Sequence, residues 1–143
     1  MTDLPRICEL VPHAGPMLLL DRVLEVGDDY LVSEVVVRKD GLFDEAGRVA
    51  AFLGLEYMAQ TISAFSGWQA RQQGERVKVG YLLGTRRFTT NVGDFACGDV
   101  LRVTARRVVQ DSVGMAAFDC MVEGELAMQS ATLSVYEPAG RAA

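Results

Sequence analysis

The sequence predicts an α+β fold in which a long central helix is wrapped by a curved antiparallel sheet. Residues 49–72 form one long stretch of good helix formers without proline. A predicted β-hairpin precedes this stretch, and four β-type segments follow it. The length of 143 residues is that of one domain with a substantial core. We therefore expect residues 1–143 to form a single domain.

The elements before the helix are short. Residues 7–11 have the apolar spacing of one helical turn, which would end at Pro12. Residues 17–24 read as a strand, and residues 30–37 read as its antiparallel partner beyond a Gly-Asp-Asp turn. Residues 38–48 are polar and contain glycine. We expect this last segment to be a loop.

The predicted helix is apolar on almost every side between residues 49 and 68. This pattern is typical of a helix that is buried on most of its surface. The length also suits a membrane span, but Glu56, Gln60, Ser63 and Ser66 would be costly in lipid. The sequence therefore predicts a helix inside a protein core and no membrane association.

Beyond the helix, alternating or continuous apolar residues predict four strands. They cover residues 77–88, 100–109, 114–122 and 126–136. Turn signals separate them at residues 93–99, 111–114 and 123–125. A curved antiparallel sheet built from these strands around one long helix is the hotdog fold.

The overall composition excludes several classes of function. The net charge of −5 disfavours nucleic acid as a partner. Cys8, Cys97 and Cys120 are widely spaced and the chain has one histidine, which disfavours a zinc site or a disulfide framework. Residues 1–6 contain no basic stretch that leads into an apolar run. We expect a cytoplasmic protein.

The charges are unevenly distributed along the chain. Residues 71–107 contain eight Lys and Arg against three acidic residues, a net charge of +5, which leaves −10 on the remainder. A basic region on an acidic protein can steer an acidic partner onto one face. Alternatively, these side chains are simply the solvated faces of strands.

The candidate chemistry is concentrated on one stripe of the helix. Glu56, Gln60 and Ser63 have the i, i+4, i+7 spacing of one helix face. Glu56 then either pairs with an arginine or a backbone group, or is a carboxyl group held in an apolar tunnel for acid–base chemistry. His13 lies in a rigid loop between Pro12 and Pro16, where it is either structural or functional.

Three segments of the chain stand out as motifs: residues 10–23, residues 55–60, and residues 84–88 together with 98–101. In this order they resemble motifs of the FabZ/FabA-type 3-hydroxyacyl-ACP dehydratases. The N-terminal motif of that family is similar to residues 10–23, LVPHAGPMLLLDRV. The Glu-x-Met-Ala-Gln segment of its central helix is similar to residues 55–60, LEYMAQ. Its strand ending in Arg-Phe and its Gly-Asp-x-Leu loop resemble residues 84–88 and 98–101. The helix motif and the ending at residues 136–138 are most similar to the ApeP-like branch, which is associated with aryl polyene gene clusters.

This resemblance implies a hotdog dimer with acyl tunnels at the subunit interface, formed either with a second copy or with a related dehydratase subunit. The implied reaction is dehydration of a 3-hydroxyacyl thioester on acyl carrier protein to the trans-2-enoyl thioester. It needs no cofactor beyond the phosphopantetheine of the carrier. Glu56 matches the catalytic carboxylate of the family. The expected substrate-binding residues are Gln60, Gly54, Phe52 and Gly84.

Arg86 and Arg87 are the expected contacts for the carrier protein. They lie in the basic region of the chain, and acyl carrier protein is acidic. Opposite charges across an interface raise the rate of association and favour the correct partner. The basic region then has a function in binding the carrier.

The family also has a catalytic histidine in a His-Phe-x-Gly segment, which this sequence lacks. The corresponding region is residues 42–47, LFDEAG, which contains no histidine. Three explanations are open: His13 supplies the second proton-transfer group, an acid such as Asp44 does so, or the chain serves as the partner of an active dehydratase subunit. We favour His13 as the second catalytic residue.

Two alternatives to a dehydratase follow from the same residues. A hotdog thioesterase can use a helix carboxylate and water, and it needs no histidine. A non-catalytic binding subunit would bind the acyl carrier without turnover. An enoyl thioester product indicates a dehydratase, whereas a free acid indicates a thioesterase.

Overall fold

The computed structural model describes residues 4–76 and 80–138. Short 3₁₀ turns at Ile7–Glu9 and Gly15–Met17 precede the first strand. The strands and the helix then follow in the order β1 Arg22–Val26, β2 Tyr30–Val36, β3 Asp44–Glu45, β4 Arg48–Ala50, α1 Leu53–Gln72, β5 Tyr81–Thr90, β6 Asp94–Ala96, β7 Val100–Gln110, β8 Met115–Glu123 and β9 Met128–Tyr136.

The main sheet has six strands in the order β1-β2-β7-β8-β9-β5, and all neighbouring pairs are antiparallel. Helix α1 packs on one face of this sheet, where it contacts β2, β7, β8 and β9. The core between them includes Met58, Ala64 and Phe65 from the helix, all at 0% exposure. Phe65 meets Phe118 of β8 edge to face, with ring centroids 5.8 Å apart. The predicted hotdog architecture is confirmed.

The first predicted strand is wrong in its position. Residues 15–17 form a 3₁₀ turn, because Gly15 takes a positive φ of 60° and Pro16 follows it. Strand β1 begins only at Arg22. In between, the backbone N–H of Leu19 donates to the side chain of Gln60. The apolar run at 17–20 therefore packs against the helix.

A second, small sheet replaces part of two predicted loops. It has the order β3-β4-β6 and joins residues 44–50 to residues 94–96. Ala46 and Gly47 both have positive φ, as the tight turn between β3 and β4 requires. Because residues 48–50 belong to this sheet, α1 starts at Leu53 and not at residue 49.

The strand that follows the helix is described from Tyr81, and the predicted start at residues 77–79 lies outside the described residues. Within residues 4–76 and 80–138, strand β5 is an edge of the main sheet and pairs only with β9. Nearly all of its residues are exposed, including the apolar Tyr81, Leu82 and Leu83. The other edge of β5 therefore has unpaired backbone groups that another strand can bind. In the part of the chain that the structure describes, none of the helices combines the length and the hydrophobicity of a membrane span.

Candidate active site

The start of helix α1 is held by a buried glutamine. Gln129 of β9 is 0% exposed, and its Nε2 donates to the carbonyl oxygen of Ala51 at 2.8 Å and to Thr90 Oγ1 at 3.1 Å. Its Oε1 lies directly against Gly54, where any side chain would collide with it. Gly54, which the sequence predicts to bind substrate, also has a packing role: a glycine lets β9 approach the first turn of the helix.

Glu56 is half-buried and is held by the next turn of the same helix. Gln60 Nε2 donates to Glu56 Oε1 at 3.0 Å and also to the carbonyl oxygen of Met17 at 2.8 Å. Gln60 Oε1 accepts the backbone N–H of Leu19 at 2.9 Å. The amide of Gln60 thus makes three hydrogen bonds inside the protein and is 1% exposed. This arrangement orients Glu56. The sequence predicts Gln60 as a substrate-binding residue, and in the structure its amide is engaged inside the protein.

Glu56 and His13 line the same cavity, which has a volume of about 250 Å³. The cavity lies between the exposed side of α1, the 12–13 segment and the start of β5. His13 Nδ1 is buried and has no hydrogen-bond partner among residues 4–76 and 80–138. A buried nitrogen of this kind is costly unless it binds something. The structure thus brings together the two residues that the sequence predicts to be catalytic.

The cavity has polar and apolar walls. Its other lining residues are Pro12, Ala59, Ile62, Ser63, Ser66, Gly80, Tyr81, Leu82, Val135 and Glu137. Ser63 extends the Glu56 stripe along α1, as predicted. Tyr81 and Leu82 belong to the free edge strand, and their exposure makes this wall accessible from outside the subunit.

The backbone at the helix start offers two candidate hydrogen-bond donors. Ala51 N–H donates to the Gly93 carbonyl, Gly54 N–H to the Ala51 carbonyl and Leu55 N–H to the Phe52 carbonyl. In the described part of the chain, this leaves the N–H groups of Phe52 and Leu53 without an acceptor. Donors at a helix N-terminus can polarise a carbonyl oxygen.

The remaining predicted site residues are not gathered around this cavity. The Phe52 side chain is 69% exposed at the start of the helix. Gly84 lies in the middle of β5 with open space around it. Asp44, the alternative second acid, lies in the small sheet, where its Oδ1 accepts the N–H of Gly41 at 2.7 Å. It does not line the cavity of Glu56.

Arg86 and Arg87 are both exposed on β5, at an irregularity in its pairing with β9. Arg87 has a positive φ of 56°, which is unusual for a residue other than glycine. The bulge turns one arginine out of the regular alternation of the strand. Both predicted carrier-binding residues are thus accessible on the free edge of the sheet.

Tyr57 lies next to Glu56 on the opposite, buried side of the helix. It is 2% exposed and packs near Phe95, with ring centroids 6.1 Å apart. Burial raises the pKa of its hydroxyl to about 12. The ring therefore stays neutral under ordinary conditions and acts as part of the core.

Sequence reasoning missed Gln129, Glu137 and the contribution of β5 to the cavity. Gln129 sits in an alternating strand pattern, in which its inward position could have been recognised as that of a buried polar residue. Nothing in the local sequence relates Glu137 or Tyr81 to Glu56. The pairing of β5 with β9 brings Tyr81 close to Glu137, and the packing of α1 on the sheet brings both to the cavity of Glu56.

The six-stranded sheet packed against one helix, with a carboxylate and a histidine lining one cavity beside that helix, defines a hotdog protein with a candidate acid–base site. The sequence from residue 5 to residue 143 matches the family model of the ApeP-like dehydratases, described as ApeP dehydratase. The chain belongs to this family.

Individual relatives agree with this assignment. The 3-hydroxyacyl-[acyl-carrier-protein] dehydratase FabZ of Streptococcus suis is 31% identical over 135 residues, which cover 89% of this chain and 92% of the relative. The FabZ of Streptococcus uberis is 35% identical over 82 residues, and this match covers 54% of this chain and 59% of the relative. That match, and several others like it, thus span little more than half of the relative's length.

Solved structures show the same fold. The dehydratase heterocomplex ApeI:P from Xenorhabdus doucetiae superposes with a TM-score of 0.87 at 27% identity, over 96% of this chain and 93% of that chain. A hypothetical thioesterase from Streptococcus pneumoniae, solved with coenzyme A, superposes with a TM-score of 0.64 at 13% identity, over 85% and 88% of the two chains. The second likeness concerns the fold alone.

Proposed function

We propose that this protein dehydrates 3-hydroxyacyl thioesters carried on acyl carrier protein to trans-2-enoyl thioesters. The observation that carries the proposal is that Glu56 and His13 line one cavity, with Gln60 orienting Glu56. The FabZ relatives carry this activity in their name. The reaction uses no metal or organic cofactor, because the phosphopantetheine arm belongs to the substrate.

The reaction needs two proton transfers. The C2–H and C3–O bonds break, the C2–C3 double bond forms, and water leaves. One group of the His13 and Glu56 pair removes the C2 proton, and the other delivers a proton to the departing hydroxyl. We assign the stabilisation of the negative charge that develops on the thioester oxygen to the N–H groups of Phe52 and Leu53, which have no acceptor in the described part of the chain.

A second candidate function is that of a subunit in a heteromeric dehydratase. The likeness to the ApeI:P heterocomplex favours it, as does the absence of a His-Phe-x-Gly segment from the sequence. In this case Glu56 works with a histidine that the partner subunit contributes. The free edge of β5 is the proposed contact, because it borders the cavity and has an unpaired edge.

The test is turnover of a 3-hydroxyacyl carrier protein by the purified full chain, alone and with a related dehydratase subunit. The variants are Glu56→Gln and His13→Ala. Glu45→Gln is the matched control, because Glu45 is exposed in the small sheet. We expect enoyl product from the wild type and from the control. We expect a loss of about a hundredfold or more from both active-site variants.

The outcomes distinguish the candidate functions. Activity that requires the related subunit and survives His13→Ala, but not Glu56→Gln, supports the heteromeric function. Release of a free acid in place of an enoyl thioester indicates a thioesterase. A fully active Glu56→Gln variant contradicts both dehydratase proposals.

Carrier binding is a separate part of the proposal. Arg86 and Arg87 are exposed on the free edge beside the cavity that Tyr81 and Leu82 line. Changing both to Glu should weaken carrier binding, and added salt should weaken binding to the wild type in the same way. The control is Arg102→Glu, which also reverses an exposed charge but lies on β7, away from the free edge. Binding that is insensitive to both changes would contradict this assignment.

A further inference from the structure

The segment that carries His13, residues 12–16, has few contacts of its own. Its other members are two prolines, an alanine and a glycine, all of them exposed and none with a hydrogen-bonding group in its side chain. In the described part of the chain, one hydrogen bond joins the backbone of this segment to a distant element. The Nη2 atom of Arg38 donates to the carbonyl oxygen of Pro16 at 2.7 Å. This bond ties the segment of His13 to the end of strand β2.

Arg38 is itself held firmly in the fold. It follows Val37, whose N–H donates to the carbonyl of Asp99 at 2.9 Å and whose carbonyl accepts the N–H of Gly98 at 2.8 Å. The Nε atom of Arg38 lies 3.4 Å from Oδ2 of Asp40, and the Arg38 side chain is only 32% exposed. A charged donor makes a stronger hydrogen bond than a neutral one, particularly where water is partly excluded. The guanidinium group is therefore a defined anchor for the Pro16 carbonyl.

His13 lies three residues before this anchor. Its Nδ1 is buried without a hydrogen-bond partner within residues 4–76 and 80–138, so no bond from this atom fixes the ring. Gln60 holds the chain only beyond the anchor, at Met17 and Leu19. Arg38 thus provides the attachment that is nearer to His13. A misplacement of about 1 Å at a reacting group can lower a rate about a hundredfold.

We propose that Arg38 is a positioning residue that fixes His13 in the cavity of Glu56 through its hydrogen bond to the Pro16 carbonyl. Arg38 does not line that cavity, so its effect on the reaction passes through His13. The inference rests on the proposed function, in which His13 transfers a proton. It adds a residue from the end of β2 to the machinery of the site.

The first test follows the ring of His13 by NMR spectroscopy of the full chain. The chain contains one histidine, so the ring signals need no assignment when the protein carries no histidine tag. We expect Arg38→Met to shift these signals towards their positions in the urea-unfolded chain. Arg48→Met is the matched control, because Arg48 is also a partly exposed arginine, but its partner Asp94 belongs to the small sheet. Ring signals that stay unchanged in Arg38→Met overturn the inference.

The second test is steady-state kinetics in the dehydratase assay. Arg38→Met should lower kcat about tenfold or more with a smaller change in KM, because His13 is present but misplaced. Arg38→Lys should recover most of the lost kcat, since the Pro16 carbonyl accepts one N–H and does not need the paired donors of arginine. Arg38→Gln replaces Arg38→Met if methionine disturbs folding. A kcat equal to that of Arg48→Met overturns the inference.

A double-mutant cycle separates this positioning role from a general loss of stability. If Arg38 acts through His13, the double variant of His13→Ala and Arg38→Met is no slower than His13→Ala alone. A further loss of about tenfold in the double variant shows that the two residues act independently, and it overturns the inference.

The same experiments distinguish a failure of the inference from a failure of the proposed function. Turnover that needs Glu56 but not His13 keeps the proposed function and overturns the role of Arg38. A wild type without turnover, alone and with the related subunit, counts against the proposed function itself. The ring signals of His13 still decide in that case whether Arg38 fixes the histidine.

Discussion

At the scale of single residues, Gln60 connects the parts of the site. Its side chain joins Glu56 to the backbone of Met17 and Leu19, in the segment that follows His13. A buried amide with three partners fixes both the rotamer of Glu56 and the path of the N-terminal segment. Gln60 is therefore a positioning residue, and its effect on the reaction passes through Glu56.

We expect Gln60→Leu to lower the free energy of unfolding by about 2–4 kcal/mol, because the N–H of Leu19 and the carbonyl of Met17 lose their buried partner. In the dehydratase assay it should lower kcat by about a hundredfold with a smaller effect on KM, since Glu56 is no longer oriented. Urea denaturation and steady-state kinetics measure the two effects. Gln72→Leu, at an exposed position of the same helix, is the control. An unchanged kcat would contradict the positioning role.

The buried hydroxyl of Tyr57 makes the stability of the protein sensitive to alkaline pH. Burial raises its pKa in the folded protein to about 12, above the value of about 10 that a tyrosine has in an unfolded chain, so the unfolded chain loses this proton first. The stabilisation is fully present below about pH 10 and is lost as the pH rises towards 12. Between about pH 9 and 12 we expect the free energy of unfolding of the wild type to fall by about 2–3 kcal/mol more than that of Tyr57→Phe. Denaturation at a series of pH values measures the difference. Parallel pH curves for wild type and variant would contradict the prediction.

At the scale of elements, helix α1 depends on two glycines that allow close contacts. Gly67 lies against the backbone carbonyl of Leu10, and Gly54 lies against the side chain of Gln129. Glycine normally weakens a helix by about 1 kcal/mol relative to alanine. Here the two close contacts outweigh that cost, because a β-carbon at Gly67 would overlap with the carbonyl of Leu10 and one at Gly54 would overlap with the side chain of Gln129.

We therefore expect Gly67→Ala to destabilise the protein by about 1–3 kcal/mol, although alanine is the better helix former. The obstacle at Gly67 is backbone, which moves less readily than a side chain. Thermal unfolding is the measurement. Gly84→Ala is the control, since a β-carbon there has open space and should leave the stability unchanged or slightly higher. A raised melting temperature for Gly67→Ala would show that the close contact does not limit the helix.

At the scale of the whole molecule, the free edge of β5 and the exposed side of α1 lie on the same side as the candidate site. Tyr81, Leu82 and Leu83 are exposed on this edge, and Glu56, Ala59 and Ser63 are only half-buried. An edge strand with apolar side chains favours pairing with a second subunit. We propose that the subunit contact runs along β5 and closes the cavity of Glu56.

Leu83→Lys should weaken this contact, because it places a charge on the free edge without lining the cavity. We expect an increase of about tenfold or more in the dissociation constant of the dimer or of the complex with a related subunit, measured by analytical ultracentrifugation. Val109→Lys is the matched control. It replaces an exposed apolar residue near the end of β7, away from the β5 edge. Equal effects of both variants would argue against an interface along β5.

The sequence by itself determined the elements and the family. Two short-range patterns carry the prediction: apolar residues around most of a long helix, and alternation of apolar and polar residues in the later segments. The structure has helix α1 and strands β2, β7, β8 and β9 close to where these patterns predict them. The Leu-Glu-Tyr-Met-Ala-Gln motif identified Glu56 by resemblance alone. The main error before the helix, a strand at residues 17–24, arose because an apolar run does not reveal whether it will pair with a strand or pack on a helix.

Only the tertiary structure decided which residues meet. It formed the small sheet from two predicted loops, placed His13 in the cavity of Glu56, and gave Gln60 and Gly54 close contacts within the scaffold. The physical reason is that side-chain periodicity depends on neighbours a few positions away, whereas a site depends on contacts between distant segments. Those contacts follow from the strand order and from the packing of α1 against the sheet, which no local pattern specifies.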